Sequence, residues 1–175
     1  MSRHIITGCA GFVGSHLAKR LIESGDEVFG IDSMICGFSA NIADLMEHPN
    51  FHFRNTDIRD KMCCDNVHDT IDYVWHLAAR GETYWCRDNV EEAIDINING
   101  TLNILNQAKR HRAKHFFFSD TSAEYDSFDE DQYYPTAEWM APNTITPMGY
   151  YAITKMAASQ FVRSFGESNG FGTTL

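Results

Sequence analysis

The stretch "GYYAITKMAA", Gly149 to Ala158, places two adjacent tyrosines shortly before a lysine. A phenol held beside an ammonium can take a proton from a hydroxyl group and give it back. In a helix turning about 100° per residue, Tyr151 and Lys155 stand one turn and about 40° apart, on one face. Tyr150 and Lys155 stand about 140° apart and do not meet. On spacing alone two readings are open: an acid–base pair, or ordinary core aromatics in an apolar helix. A free phenol ionises near pH 10, so it works as a base near neutrality only where positive charge favours phenolate.

The elements that must position this pair follow from punctuation and hydrophobic period. "HIIT" (4–7) reads as a strand, "FVGSHLAKRLIES" (12–24) as a helix stopped by Gly25, and "EVFGID" (27–32) as a second strand. A short helix at "NIADLMEH", a third strand at "FHFRNT", a helix at "MCCDNVHD" and a fourth strand at 72–78 come next. One helix is expected from Val90 to Arg110, with Ile94, Ile98, Leu102, Leu105 and Ala108 on its apolar stripe. A fifth strand at 114–120 leads through a polar, acidic stretch (126–146) to a helix from Pro147 to about Ser168. "FGTTL" reads as the start of a sixth strand. The βαβα rhythm and the continuous apolar strands "YVWHL" and "HFFFS" imply an α/β fold, a parallel doubly wound sheet covered on both faces.

Between the first strand and first helix, "TGCAGFVG" sets Gly8, Gly11 and Gly14 at GxxGxxG spacing. Glycines there let the chain turn tightly and let a phosphate pair approach the amides of a helix start. Asp32 closes the second strand, where a carboxylate accepts hydrogen bonds from both hydroxyls of an adenosine ribose. It would repel a 2′-phosphate, and no lysine or arginine lies between Asp32 and Phe53 to compensate, which favours NAD over NADP. No Walker lysine follows the glycines, which disfavours ATP.

The totals bound the partners. The chain has 175 residues, a length that suits one domain, with a formal net charge of −10. That charge argues against nucleic acid or an anionic membrane as the main partner. The dense basic run "KRHRAKH" (109–115) suits a helix end, where it complements the dipole. Five cysteines without a CxxC, and no signal peptide or membrane-length apolar segment, are the usage expected of a cytoplasmic protein. The eight histidines include no HExxH, so no metal is expected.

Six short motifs, "TGCAGFVG" (7–14), "DIRD" (57–60), "HLAA" (76–79), "NINGT" (97–101), "SDTSAEY" (119–125) and "YAITK" (151–155), occur in this order along the chain. Together they resemble the extended short-chain dehydrogenase/reductase family, the NAD-dependent nucleotide-sugar epimerases and dehydratases. The resemblance implies a Rossmann-like sheet with helices on both faces. It also implies that Phe12 and Val13, with Gly8, Gly11 and Gly14, present amides to the NAD pyrophosphate. Asp32 would hold the adenosine ribose, Asp57 and Ile58 would border the adenine, and Leu77, Ala78 and Ala79 would follow the cofactor toward its nicotinamide. Asn97 resembles the helix asparagine that steadies the active-site strands and waters. Thr121 resembles the residue beside the substrate hydroxyl, and Tyr151 with Lys155 the catalytic pair that also touches the cofactor. Tyr151 would remove a sugar hydroxyl proton as hydride leaves the same carbon, and Lys155 would bind the nicotinamide ribose.

Two departures bear on substrate. Ser122 and Ala123 stand where the dehydratases have an acidic pair, and Ala123 where UDP-glucuronate decarboxylases have glutamate. Glu124 comes one position later, and on an extended segment its side chain would point the other way. Glu124 and Asp126 replace the family's usual valine and glycine. The expectation is a nucleotide-sugar 4-epimerase, with a 4,6-dehydratase, a UDP-glucuronate decarboxylase, or a non-catalytic NAD-binding sensor or scaffold as alternatives. Family members are much longer, so residues 1–175 are expected to form the NAD-binding domain, cut before a C-terminal substrate-binding domain. A homodimer through the helices at 90–110 and 147–168 is also expected.

Overall fold

The computed structural model describes residues 1–67, 70–125 and 149–175. Six strands form one parallel sheet: β1 (Arg3–Thr7), β2 (Glu27–Asp32), β3 (Phe51–Asn55), β4 (Tyr73–His76), β5 (His115–Phe118) and β6 (Gly172–Thr174). Their order is β3-β2-β1-β4-β5-β6, so the winding reverses between β1 and β4. In such sheets the crevice beyond the strands' carboxyl ends at that reversal receives ligands.

Helix α1 (Phe12–Glu23) follows β1 and stops where Gly25 adopts φ +84° and its amide reaches the Ile22 carbonyl. Ala18 and Ile22 of α1 and Ile42 of α2 (Ser39–Ile42) pack with Ile6, Val28 and Phe51 on one face of the sheet. On the other face, Ile104, Leu105 and Ala108 of α5 (Thr101–Arg110) and Ala158 and Val162 of α6 (Gly149–Asn169) pack with Ile5, Ile31, Val74 and Phe116. The basic residues Lys109 and Arg110 do sit in the last turn of α5.

Four expectations change. Residues 62–67 form successive turns rather than a helix, because Asp57 and Asp60 take the Arg59 and Met62 amides and Asn103 takes the Ile58 and Asp60 carbonyls. The long helix expected at 90–110 is α4 (Val90–Ile94), a wide π turn (Asp95–Gly100) and α5, preceded by an unforeseen α3 (Thr83–Asp88). The wide turn puts Asn97 inside, and Ile94 stands exposed instead of on the buried stripe. Strands β4 and β5 alternate: Val74, His76, Phe116 and Phe118 are buried, whereas Trp75 and Phe117 stack at 3.9 Å on a half-buried face. The short helix at 41–48 shrinks to α2 and one tight turn (Ala43–Leu45). Pro147 and the acidic stretch at 126–146 lie outside the described residues.

Candidate active site and dinucleotide cleft

Beyond the ends of β1, β2 and β4 lies a cleft of about 170 Å³. The glycine turn forms one wall by steric necessity. Gly8 has φ +72°, and a Cβ there would stand 2.9 Å from the Ala78 amide nitrogen; a Cβ at Gly14 would overlap the Gly8 carbonyl oxygen. With β1 and α1 this close, the first helical turn opens toward the cleft behind Gly11, its N-cap. No acidic side chain occupies that turn, so its partial positive charge is free for an anion.

Asp32 is buried at the tip of β2, where its carboxylate accepts from the Ala10 amide (2.9 Å) and the Met34 amide (2.8 Å). Gly37 folds back over it; a Cβ at 37 would stand 2.7 Å from the carboxylate. Opposite are Asp57 and Ile58, then Leu77, Ala78 and Ala79. Burial pushes the Asp57 carboxyl up, but hydrogen bonds and charge from Arg59, 2.7 Å away, hold it below its ordinary range.

A buried polar chain ties this cleft to the helices. Thr101 Oγ1 donates to the Asn97 carbonyl, so toward His76 it can only accept, and His76 must carry its proton on Nε2 (2.9 Å). His76 Nδ1 then accepts from Thr7 Oγ1 (2.7 Å), which in turn accepts the Ala78 amide (3.1 Å). Burial, with Lys155 nearby, drops His76 to about 3, so it is a neutral strut. Asn97 grips both backbone groups of Arg80 and donates to Thr154 Oγ1 of α6.

The second half of the site rests on α6. Tyr151 is partly buried, whereas Tyr150 is 46% exposed. The Tyr151 hydroxyl lies beside Gly81, next to the cleft wall, and shares a hydrogen bond with Thr121. Burial raises the phenol above its ordinary value, the bond to Thr121 pulls it back, and Cys86 and Asp120 add to the rise. Lys155 is 2% exposed, with its ammonium 3.9 Å over the Phe118 ring. Burial lowers it to about 8, against the pull of Asp120 and Glu124.

Glu124 departs from expectation. Residues Ser122–Glu124 form a tight 3₁₀ turn, capped by Thr121 Oγ1 accepting from the Ala123 amide (3.2 Å). The turn buries Glu124, rather than letting an extended segment carry it away. Burial and a hydrogen bond with Asp120 raise its carboxyl to about 8, with Lys155 and Arg163 opposing.

Of the residues singled out by sequence, Gly8, Gly11, Asp32, Asp57, Ile58, Leu77, Ala78 and Ala79 share the cleft; Thr121, Tyr151 and Lys155 are not in its lining, and Tyr151 stands next to it beside Gly81. Gly14 packs helix on strand, and the Phe12 and Val13 side chains point to solvent. Asn97 acts on the Arg80 backbone and α6. Sequence reasoning missed Gly37, Cys36 and Arg80; the glycine in the loop after Asp32 was the one available signal. Among the described residues, no group of three histidine, cysteine or acidic side chains could hold a metal ion, and no helix is long and apolar enough to cross a membrane.

The family model described as "NAD dependent epimerase/dehydratase family" matches residues 4–175. A UDP-glucuronic acid decarboxylase 1 of Arabidopsis thaliana is 37% identical over 123 residues, 70% of this chain and 27% of the relative. A probable UDP-glucuronate 4-epimerase of Rhizobium meliloti is 30% identical over 98% of this chain and 51% of its own length. The structure of a UDP-glucose 4-epimerase from Thermus thermophilus, in complex with NAD, superposes with a TM-score of 0.82 at 26% identity, covering 98% of this chain and 53% of that one. The chain thus spans about half, or less, of the length of these relatives.

Proposed function

The chain belongs to the NAD dependent epimerase/dehydratase family, and from that premise we propose that it is the NAD-binding part of a nucleotide-sugar 4-epimerase. The observation that carries the reading is the placement of partly buried Tyr151, its hydroxyl beside Gly81 next to the cleft wall, with Lys155 buried one helical turn further along α6. The cleft fits a dinucleotide: its wall admits no Cβ at Gly8, its helix start is open, and Asp32 offers ribose acceptors. NAD+ bound there would supply a hydride acceptor.

This chain's residues would do the rest. Gly11 and the amides of Phe12 and Val13 bind the pyrophosphate, and Asp32 orients the adenosine ribose. Thr121 holds the sugar hydroxyl, Tyr151 removes its proton, and Lys155 binds the nicotinamide ribose. The phenol is raised while its lysine stands over Phe118, so a cationic cofactor ring must supply much of the charge that favours phenolate. Tyr151 would then return the proton to the carbonyl oxygen of the rotated ketone as its carbon takes hydride back on the opposite face, which inverts the centre.

The matched decarboxylase and buried Glu124 favour a second reading, loss of carbon dioxide from a sugar acid. Full-length protein incubated with UDP-glucose and UDP-glucuronate decides: a C4 epimer supports the first reading, carbon dioxide the second. Tyr151→Phe is expected to lower turnover at least ~100-fold while NAD+ affinity stays within about twofold. Equal activity of the variant would sink both readings. Exposed Ile94, Ile153 and Phe161 on α4 and α6 support pairing of two copies, measurable by sedimentation.

A further inference from the structure

The cleft is acidic, whereas its proposed ligand carries a negative diphosphate. Asp32 and Asp57 line it, and Arg80 is the one basic side chain among its described lining residues. No lysine or arginine occurs from residue 33 to 52 to neutralise a phosphate from the β2 side. Arg59 lies near but is committed to Asp57 and Asp95.

Arg80 is under-used for a cation so well placed. Its backbone is fixed by Asn97 at both the amide (2.8 Å) and the carbonyl (3.1 Å), and its guanidinium lies 4.5 Å over the Trp85 ring. The side chain, 16% exposed, reaches across the cleft to the Cys36 thiol, a weak partner for a charged donor. Its other terminal nitrogen pairs with Glu82 at 2.9 Å, and Glu82 is 60% exposed, where solvent screens the pair. The buried Nε has no acceptor. A guanidinium with a buried free donor, a thiol for a partner and a locked backbone is arranged to take an oxyanion.

We propose that Arg80 is the cation that neutralises the diphosphate of the bound dinucleotide, closing over it from the side opposite the α1 amides. This rests on the dinucleotide reading above. The ligand exchanges the Cys36 contact for a charge-assisted bond to a phosphate oxygen, and the bridge between the β4 and β2 loops then runs through the ligand. The diphosphate is favoured over a 2′-phosphate because Asp32, whose carboxylate lies under Gly37, repels the latter.

Binding of NAD+, NADP+, ADP-ribose and adenosine to the chain and to Arg80→Gln, read by calorimetry at low and moderate salt, tests this. Arg80→Gln is expected to weaken NAD+ and ADP-ribose together by roughly 10–100-fold and to leave adenosine unchanged. Arg80→Lys should recover part of the loss, and the gap should narrow as salt rises. Glu82→Gln, which frees the guanidinium, should bind NAD+ as well as or better than the unsubstituted chain. Unchanged NAD+ affinity in Arg80→Gln overturns the proposal alone. So does a loss confined to NADP+, an equal loss of adenosine, or an equal loss in Glu82→Gln. Failure of the unsubstituted chain to bind NAD+ and ADP-ribose would overturn the dinucleotide reading itself, and this proposal with it.

Discussion

The two ends of the site are specified by different physics. Around Gly8, Gly14 and Gly37 the chain is fixed by contacts that leave no space for a single extra carbon. Around Thr121, Tyr151 and Lys155 it is fixed by ionisable groups taken out of water, whose charge depends on one another. A steric wall works the same at every pH. A cluster of buried acids and a buried ammonium changes with every proton, so the reacting end is tunable where the binding end is rigid.

The largest effect should come from the rigid end. Gly14→Ala is expected to cost about 3 kcal/mol or more in urea unfolding, equally at pH 5 and pH 8. A small cost, or one that varies with pH, would break the contrast. At the tunable end the expected signal is a slope. His76, held neutral to about pH 3, makes stability fall as pH drops below about 6.5, since the unfolded chain gains a proton the folded one refuses. Glu124, raised to about 8, does the reverse: the folded chain holds its proton from about pH 8 down to 4.5, so stability rises as pH falls. Between pH 6.5 and 4.5 the two nearly cancel. Glu124→Gln should therefore expose a decline of about 1.4 kcal/mol per pH unit, measured by urea unfolding across that range. A profile as flat as the parent's would show that Glu124 does not carry that proton. The smallest effect should follow Tyr150→Phe, under about 0.5 kcal/mol and with unchanged turnover; a fall in turnover matching Tyr151→Phe would undo the assignment of the helix face.

The rigid end was the more legible in sequence. Glycine spacing and a strand-terminal aspartate are local signals, and the residues carrying them meet within one βαβ unit. Arg80 was invisible because its importance comes from Asn97 gripping its backbone across 17 positions and from a thiol 44 positions away. Glu124 was misread because its direction depends on whether the chain after β5 is extended or tightly wound, which Thr121 decides by capping that turn. The turns at 62–67 failed for a related reason: aspartate and asparagine side chains compete for backbone groups that a helical pattern assumes are paired internally. The unforeseen α3 ends at Asn89, whose φ of −135° breaks a run that hydrophobic period alone reads as starting only at Val90.

The wide turn at Asp95–Gly100 carries a rule about length. It gives α4 and α5 together one residue more than a regular spiral of the same rise, and that surplus aims Asn97 inward while Ile104 and Leu105 stay in the core. A chain shortened by one residue here would have to rotate one end by about 100° against the other. It would then lose either its hold on Arg80 or the apolar seat of α5, so insertions and deletions in this segment are far less permissible than in the loops on either side.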